Sequence, residues 1–227
     1  MTGLWKNNRE KILLVLLILL QLAGVTWLQT TIRNGGDGLF TFLLANNPYE
    51  FNYVDYTWKY YPENNGWIDS RILTEQYTVM PYDRFDLASV YWHQRIDNHP
   101  ILYYSLVHLI SSFFPEQYSQ MFSMVINTVF LLGIDLLIIG ILEILYPGGR
   151  LYAAPSILLL SLLYCYQRLG DLPRMYMMLA FFCAWYLYLH AKTIASGEEG
   201  KRFLLPWFFC VLAGSLTHYY FYVFGFF

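Results

Sequence analysis

The chain has 227 residues, 57% hydrophobic and 20% aromatic, with only 13% charged and a formal net charge of -2. That much apolar surface exceeds what one soluble core of this length needs, and predicts an all-α polytopic membrane protein. A near-neutral charge balance without a Lys/Arg-rich run weighs against nucleic acid as a partner.

Lys6, Arg9 and Lys11 precede an apolar run over residues 12–28, which with its flanks approaches the roughly 20 residues of a bilayer crossing. The basic flank and the lack of a small-x-small cleavage site predict an uncleaved first membrane helix within residues 1–30, its amino end in the cytoplasm. Residues 31–118 then form a large external loop rich in Tyr, Trp, Asn and Asp. At its near end Asn34-Gly35-Gly36-Asp37-Gly38 sets a carboxylate on a glycine-loosened turn at the membrane surface.

Inside the loop, residues 39–46 read as a short helix stopped by Asn46-Asn47-Pro48, and Pro62-Glu63-Asn64-Asn65-Gly66 is turn chemistry. Residues 67–76 predict a second short helix, and Asp86 is a good N-cap for a third ending near Gln94, with Phe85, Val90 and Trp92 as its apolar contacts. Such aromatic helices suit the headgroup zone, where Tyr and Trp keep one apolar and one wet side.

Residues 101–114 are apolar but short and carry Ser105, His108, Ser111 and Ser112, so crossing and surface readings both stand. Residues 119–227 hold clearer segments at about 121–145, 151–166, 175–190 and 203–216. If 101–114 lies on the outer surface, Arg150, Lys192, Lys201 and Arg202 fall inside, as the positive-inside rule prefers, with Arg168 and Arg174 outside against it. This assignment also puts Asp37, His99, Arg174 and His218 on one face. The run 219–227 is too short to span, so the chain reads as the amino-terminal part of a larger protein. Cys165, Cys183 and Cys210 sit in apolar segments without metal or disulfide spacing and read as small buried hydrophobes.

Four stretches carry a family likeness by their order: Gly36-Asp37-Gly38-Leu39-Phe40, Asp97-Asn98-His99-Pro100-Ile101-Leu102-Tyr103-Tyr104, Arg174-Met175-Tyr176 and Leu216-Thr217-His218-Tyr219. With the hydropathy order this resembles the protein O-mannosyltransferase-like branch of the GT-C glycosyltransferases, which includes the lipid A aminoarabinose transferases. The resemblance implies a GT-C-like helix bundle, a polyprenyl-phosphate sugar donor, and inverting transfer to an external acceptor hydroxyl on a lipid, glycan or protein. It implies no metal or other cofactor, and neither Asp-x-Asp nor a His pair flanking Glu argues for one.

Asp37 matches the family's catalytic base, which must take the acceptor proton as the oxygen attacks the anomeric carbon. Many relatives have Asp-Glu where this chain has Asp37-Gly38, and a turn or helix N-cap is the plainer role. His99 matches the His or Lys before proline that can face the donor phosphate, although Ile101 replaces a commoner second proline. Arg174 is the stronger phosphate partner, because guanidinium is always charged and can grip two oxygens; a snorkelling anchor is its ordinary role. Tyr176, Asp97, Tyr103 and His218 complete a possible pocket, with Glu50 and Asp55 as alternative carboxylates. Asp135, at the middle of an apolar segment, is a functional candidate that the resemblance leaves without a role.

The resemblance and the absence of any Asn-x-Ser/Thr site fit a bacterial plasma membrane. A transporter or lipid-handling protein with Asp135 and Arg174 lining a pathway is the alternative; no internal repeat of the transporter kind is visible. A non-catalytic scaffold is a third reading.

Overall fold

The computed structural model describes residues 2–31, 36–47, 70–97, 99–167, 173–197 and 203–226. Among these every regular element is helical: α1 (Thr2–Thr31), α2 (Gly36–Asn46), α3 (Ser70–Tyr77), α4 (Leu87–Ile96), α5 (Leu102–Ser111), α6 (Met121–Leu145), a 3-10 turn (Arg150–Tyr152), α7 (Ala153–Gln167), α8 (Tyr176–Ser196), α9 (Leu204–Ser215) and α10 (Tyr220–Phe226). The turn at 62–66, Glu50, Asp55, Arg168, Asp171, Lys201 and Arg202 lie outside the described residues.

Among the described residues three stretches are long and apolar enough to cross a membrane: Asn8–Trp27 of α1, α6 and α8. Their outward faces carry Leu13, Leu16 and Leu20 on α1, Val125, Val129 and Leu136 on α6, and Leu187 and Ile194 on α8, all exposed. A bundle with so apolar an exterior is stable in lipid, where an α-helix satisfies its own backbone groups. The fold is therefore that of an all-α membrane protein.

Helix directions follow from which residues meet. Leu14 and Ile18 of α1 pack with Ala153 and Ile157 of α7, and near them with Ile138, Ile139 and Leu142 of α6. Val25 of α1 packs with Leu131 and Ile134 of α6 and with Met177 of α8. Hence α1 and α7 run one way while α6 and α8 run the other. Phe130 lies against Phe181 and Phe182, and Gly140 lies under Tyr188, so α6 and α8 run parallel. His190 and Tyr186 meet Trp207, and the Cys210 thiol donates to the Phe182 carbonyl at 3.6 Å, so α9 returns antiparallel to α8.

Two glycines make the α6–α8 contact. A Cβ at Gly133 would stand 2.6 Å from the Phe181 ring, and one at Gly140 would stand 2.9 Å from the Tyr188 ring. Small residues at this spacing let aromatic rings lie on the backbone of the facing helix, the usual means of close association in lipid.

The loop helices share the main apolar core, where Phe42, Val90, Tyr103 and Val107 pack with Ile126, Met178 and Phe182, and polar bonds tie them to one another. Asn46, at the end of α2, donates to the Tyr77 carbonyl and to Ser111 Oγ, both at 3.1 Å. His108 of α5 donates from Nδ1 to the Ala45 carbonyl at 2.8 Å, and Ser89 of α4 donates to the Asn47 carbonyl at 2.6 Å. As expected from sequence, Asp86 caps α4: its carboxylate accepts from the N–H groups of Ala88 and Ser89 at 3.0 and 3.3 Å. Val90 is fully buried behind this cap.

The doubtful segment 101–114 resolves into α5, a helix about 15 Å long that packs along α2. It is half the length needed to cross about 30 Å of hydrocarbon. Other boundaries shift in explicable ways. The first loop helix starts at Gly36 rather than residue 39, which places Asp37 in its first turn instead of at an N-cap before Leu39. The segment expected at 175–190 continues to Ser196 and stops at Gly197, whose φ of 59° suits glycine.

Candidate functional site

The site grows from three chain turns at one end of the bundle. α4 ends at Asp97, whose extended backbone (φ -103°, ψ 164°) turns the chain toward His99 and Pro100. α5 then starts at Leu102, and the Leu102 N–H donates to the Leu216 carbonyl at 2.9 Å. That bond fastens the head of α5 to the tail of α9, where Thr217 and His218 follow. The head of α8, with Arg174 just before it and Tyr176 as its first residue, comes to the same end because α8 runs antiparallel to α9.

His99 Nδ1 and Asp97 Oδ2 are 2.8 Å apart, and both side chains are about three-quarters buried. The carboxylate takes the Nδ1 proton as its hydrogen bond and orients the ring, leaving Nε2 for a ligand. The His99 ring lies 6.0 Å from that of His218 and 6.2 Å from that of Tyr104, and Tyr176 lies 5.8 Å from His218. His218 Nδ1 accepts the Tyr220 N–H at 3.1 Å. In the neutral ring the proton therefore sits on Nε2, ready to donate.

Burial holds His218 below the ordinary histidine value, and the His99 ring and the Arg174 guanidinium push it the same way. Burial raises the Tyr104 phenol well above its ordinary range; Arg174 opposes this, while the Asp97 carboxylate adds to it. No hydrogen bond of ordinary geometry closes on the Tyr104 hydroxyl, yet Arg174 is near enough to act on it. At their ordinary protonation the described groups are one fixed cation, one carboxylate engaged by a histidine, a neutral histidine and a protonated phenol. Such a set holds an anion by donated hydrogen bonds and one full positive charge.

The structure thus brings together Asp97, His99, Arg174, Tyr176 and His218. Tyr103 instead packs into the apolar core at a right angle to Tyr104, with ring centroids 6.1 Å apart. The ring that meets His99 is Tyr104, which sequence reasoning passed over. Adjacent helical residues point about 100° apart, and only the packing of α5 on α2 decides which of two neighbouring tyrosines turns to the site.

Asp37 stands in the first turn of α2, and its side chain lies outside the described residues. Asp135 is fully buried in α6 with Gln21 of α1 as its polar neighbour. It shares no partner with Arg174, whose charge acts on Tyr104 and His218. Glu143 pairs with Arg150 at 3.0 Å at the opposite end of α6, both side chains partly exposed. Among the described residues no cluster of His, Cys, Asp and Glu could hold a metal.

An open groove of about 610 Å³ runs between α8 and α10, lined by Tyr186, Leu187, His190, Tyr220, Val223 and Phe224. It is not at the polar cluster, but Tyr220 joins the two, since its ring lies 4.7 Å from that of His218.

Comparison of the chain with protein-family models, curated proteins and solved structures finds no match.

Proposed function

We propose that the chain is part of a GT-C-type glycosyltransferase acting on a polyprenyl-phosphate sugar at the outer face of a bacterial plasma membrane. The observation that carries this reading is the convergence of Arg174, His99, His218 and Tyr104 beside the bundle end, an anion-holding group next to an apolar groove. A lipid phosphate has that polarity: a charged head and a long apolar tail.

In the proposed reaction an acceptor hydroxyl attacks the anomeric carbon and the bond from that carbon to the phosphate oxygen breaks. Asp37 takes the hydroxyl proton. The bonding electrons leave with the phosphate, whose growing charge Arg174 offsets, with hydrogen bonds from His218 and Tyr104, and from His99 Nε2 when that ring is protonated. Attack opposite the departing phosphate inverts the anomeric centre. Arg9, Lys11, Arg150 and Lys192, on helix ends opposite the cluster, support this sidedness, and Arg174 counts against it.

The alternative of a transport pathway lined by Asp135 and Arg174 is less favoured, because these residues have separate neighbours on separate helix contacts. The test is a transfer assay with the full chain and any further subunit or segment it needs, using radiolabelled polyprenyl-phosphate sugars. Turnover that depends on Asp37 supports the reading, and turnover unchanged in D37N removes Asp37 as base.

A further inference from the structure

The turn between α3 and α4 carries a backbone conformation that a large side chain rarely adopts: Phe85 has φ 62°. Three hydrogen bonds hold it there. The Phe85 N–H donates to Ser112 Oγ at 3.0 Å, Arg84 Nε donates to the Ser112 carbonyl at 2.8 Å, and Ser112 Oγ donates to the His108 carbonyl at 2.7 Å. This conformation fastens the turn to the end of α5 and leaves Phe85 at the surface, 44% exposed.

What it produces is a compact aromatic projection. Phe85 meets Phe113 edge-to-face at 5.2 Å, and the Arg84 guanidinium stands 5.4 Å over the Phe85 ring. Tyr82 and Phe113 are 73% and 66% exposed, and Phe114 is exposed beside them. Exposed aromatics gathered in this way, with a cation among them, mark an interaction surface. Its level relative to the bilayer is fixed by Phe114, whose ring stacks on Phe122 at 5.2 Å and 16°. Phe122 belongs to the first turn of α6, where that helix enters the membrane. The projection is thus continuous with the membrane boundary of a spanning helix.

We infer that Tyr82, Phe85, Phe113 and Phe114 form a wedge that inserts into the headgroup layer of the bilayer, with Arg84 on a lipid phosphate, and that it seats the loop layer against the membrane. Aromatic rings prefer that layer, and a guanidinium there gains both a phosphate partner and an aromatic face. The inference rests on α6 spanning the membrane and not on the transferase reading.

The experiment places p-benzoyl-phenylalanine at position 113, and separately at 82, in the full chain reconstituted in phosphatidylethanolamine/phosphatidylglycerol vesicles. The same residue at 129, on the exposed face of α6, is the lipid-facing control. Irradiation is expected to give a phospholipid adduct by mass spectrometry at 113 and 82 as at 129, with a loss of adduct at both in R84E. An adduct at 129 with none at 113 or 82 would overturn the proposal. So would cross-linking of 113 to a second copy of the chain in place of lipid.

Discussion

Arg174 and His218 make the most specific demands at the scale of single residues. Replacing Arg174 with alanine removes the fixed cation found among the described residues of the cluster, and turnover on a lipid-phosphate sugar is expected to fall on the order of 10²–10³-fold. R174K keeps charge but loses the planar fork, so it should recover only part of that loss. His218 sets the pH dependence. Its neutral form is favoured in the empty site by burial, His99 and Arg174, whereas a bound phosphate favours the imidazolium. The bound pKa therefore exceeds the free one, and phosphate-lipid binding should strengthen as pH falls from the bound value toward the free one, which lies below the ordinary histidine value. Titration of affinity against pH checks this, and H218F should flatten the curve.

These residues were unequally legible. Asp86 could be recognised as a cap from its own neighbourhood because capping is a local hydrogen bond. Arg174, His99 and His218 were recognisable only as a set with a shared side, since each alone is an ordinary interfacial residue. Tyr104 was hidden because choosing between it and Tyr103 requires knowing how α5 rolls on α2.

The helices carry the next demands. The contact of α6 with α8 depends on Gly133 having no side chain, so G133A must displace Phe181 from between Phe130 and Phe182. Overpacking of this kind costs about 1–3 kcal/mol and should lower the thermal midpoint in detergent, with G24A, which meets open space, as the neutral control. In the loop layer, burial holds His108 below its ordinary value although the Ala45 carbonyl favours the charged ring. The unfolded chain therefore binds that proton at higher pH than the folded one. This layer should be at full stability above about pH 6.5 and lose it as pH falls through that value. Hydrogen exchange of α2 and α5 amides at pH 7.5 and 5.5 measures the effect, and H108Q should reduce it.

Long apolar helices showed plainly in the sequence: α6 spans the residues its hydropathy marks, because twenty-five residues of one character leave no alternative pairing. Short ones did not. Whether 101–114 crosses was undecidable from composition, since an apolar ten-residue helix suits a buried layer or part of a span equally. What composition could not show is where its polar residues find partners: His108 and Ser111 bond α2.

The whole molecule turns on helix direction. α1 and α7 run against α6 and α8, and α9 runs back along α8, so the ends of α1 and α9 and the heads of α5 and α8 gather at one end. His99, Arg174 and His218 flank those helix ends and Asp37 lies in the first turn of α2, whereas Lys11, Arg150 and Lys192 belong to the other end. Sidedness hung on a single segment, because the alternation follows from the basic residues only if α5 does not cross.

The decisive measurement is the reactivity of D37C and R174C toward a membrane-impermeant maleimide added from outside intact cells, on a chain whose own cysteines are alanine. Labelling of both, with K192C labelled only after permeabilisation, is the result predicted. Labelling of one of the two and protection of the other until permeabilisation would put the proton acceptor and the phosphate anchor on opposite sides of the bilayer and contradict the account.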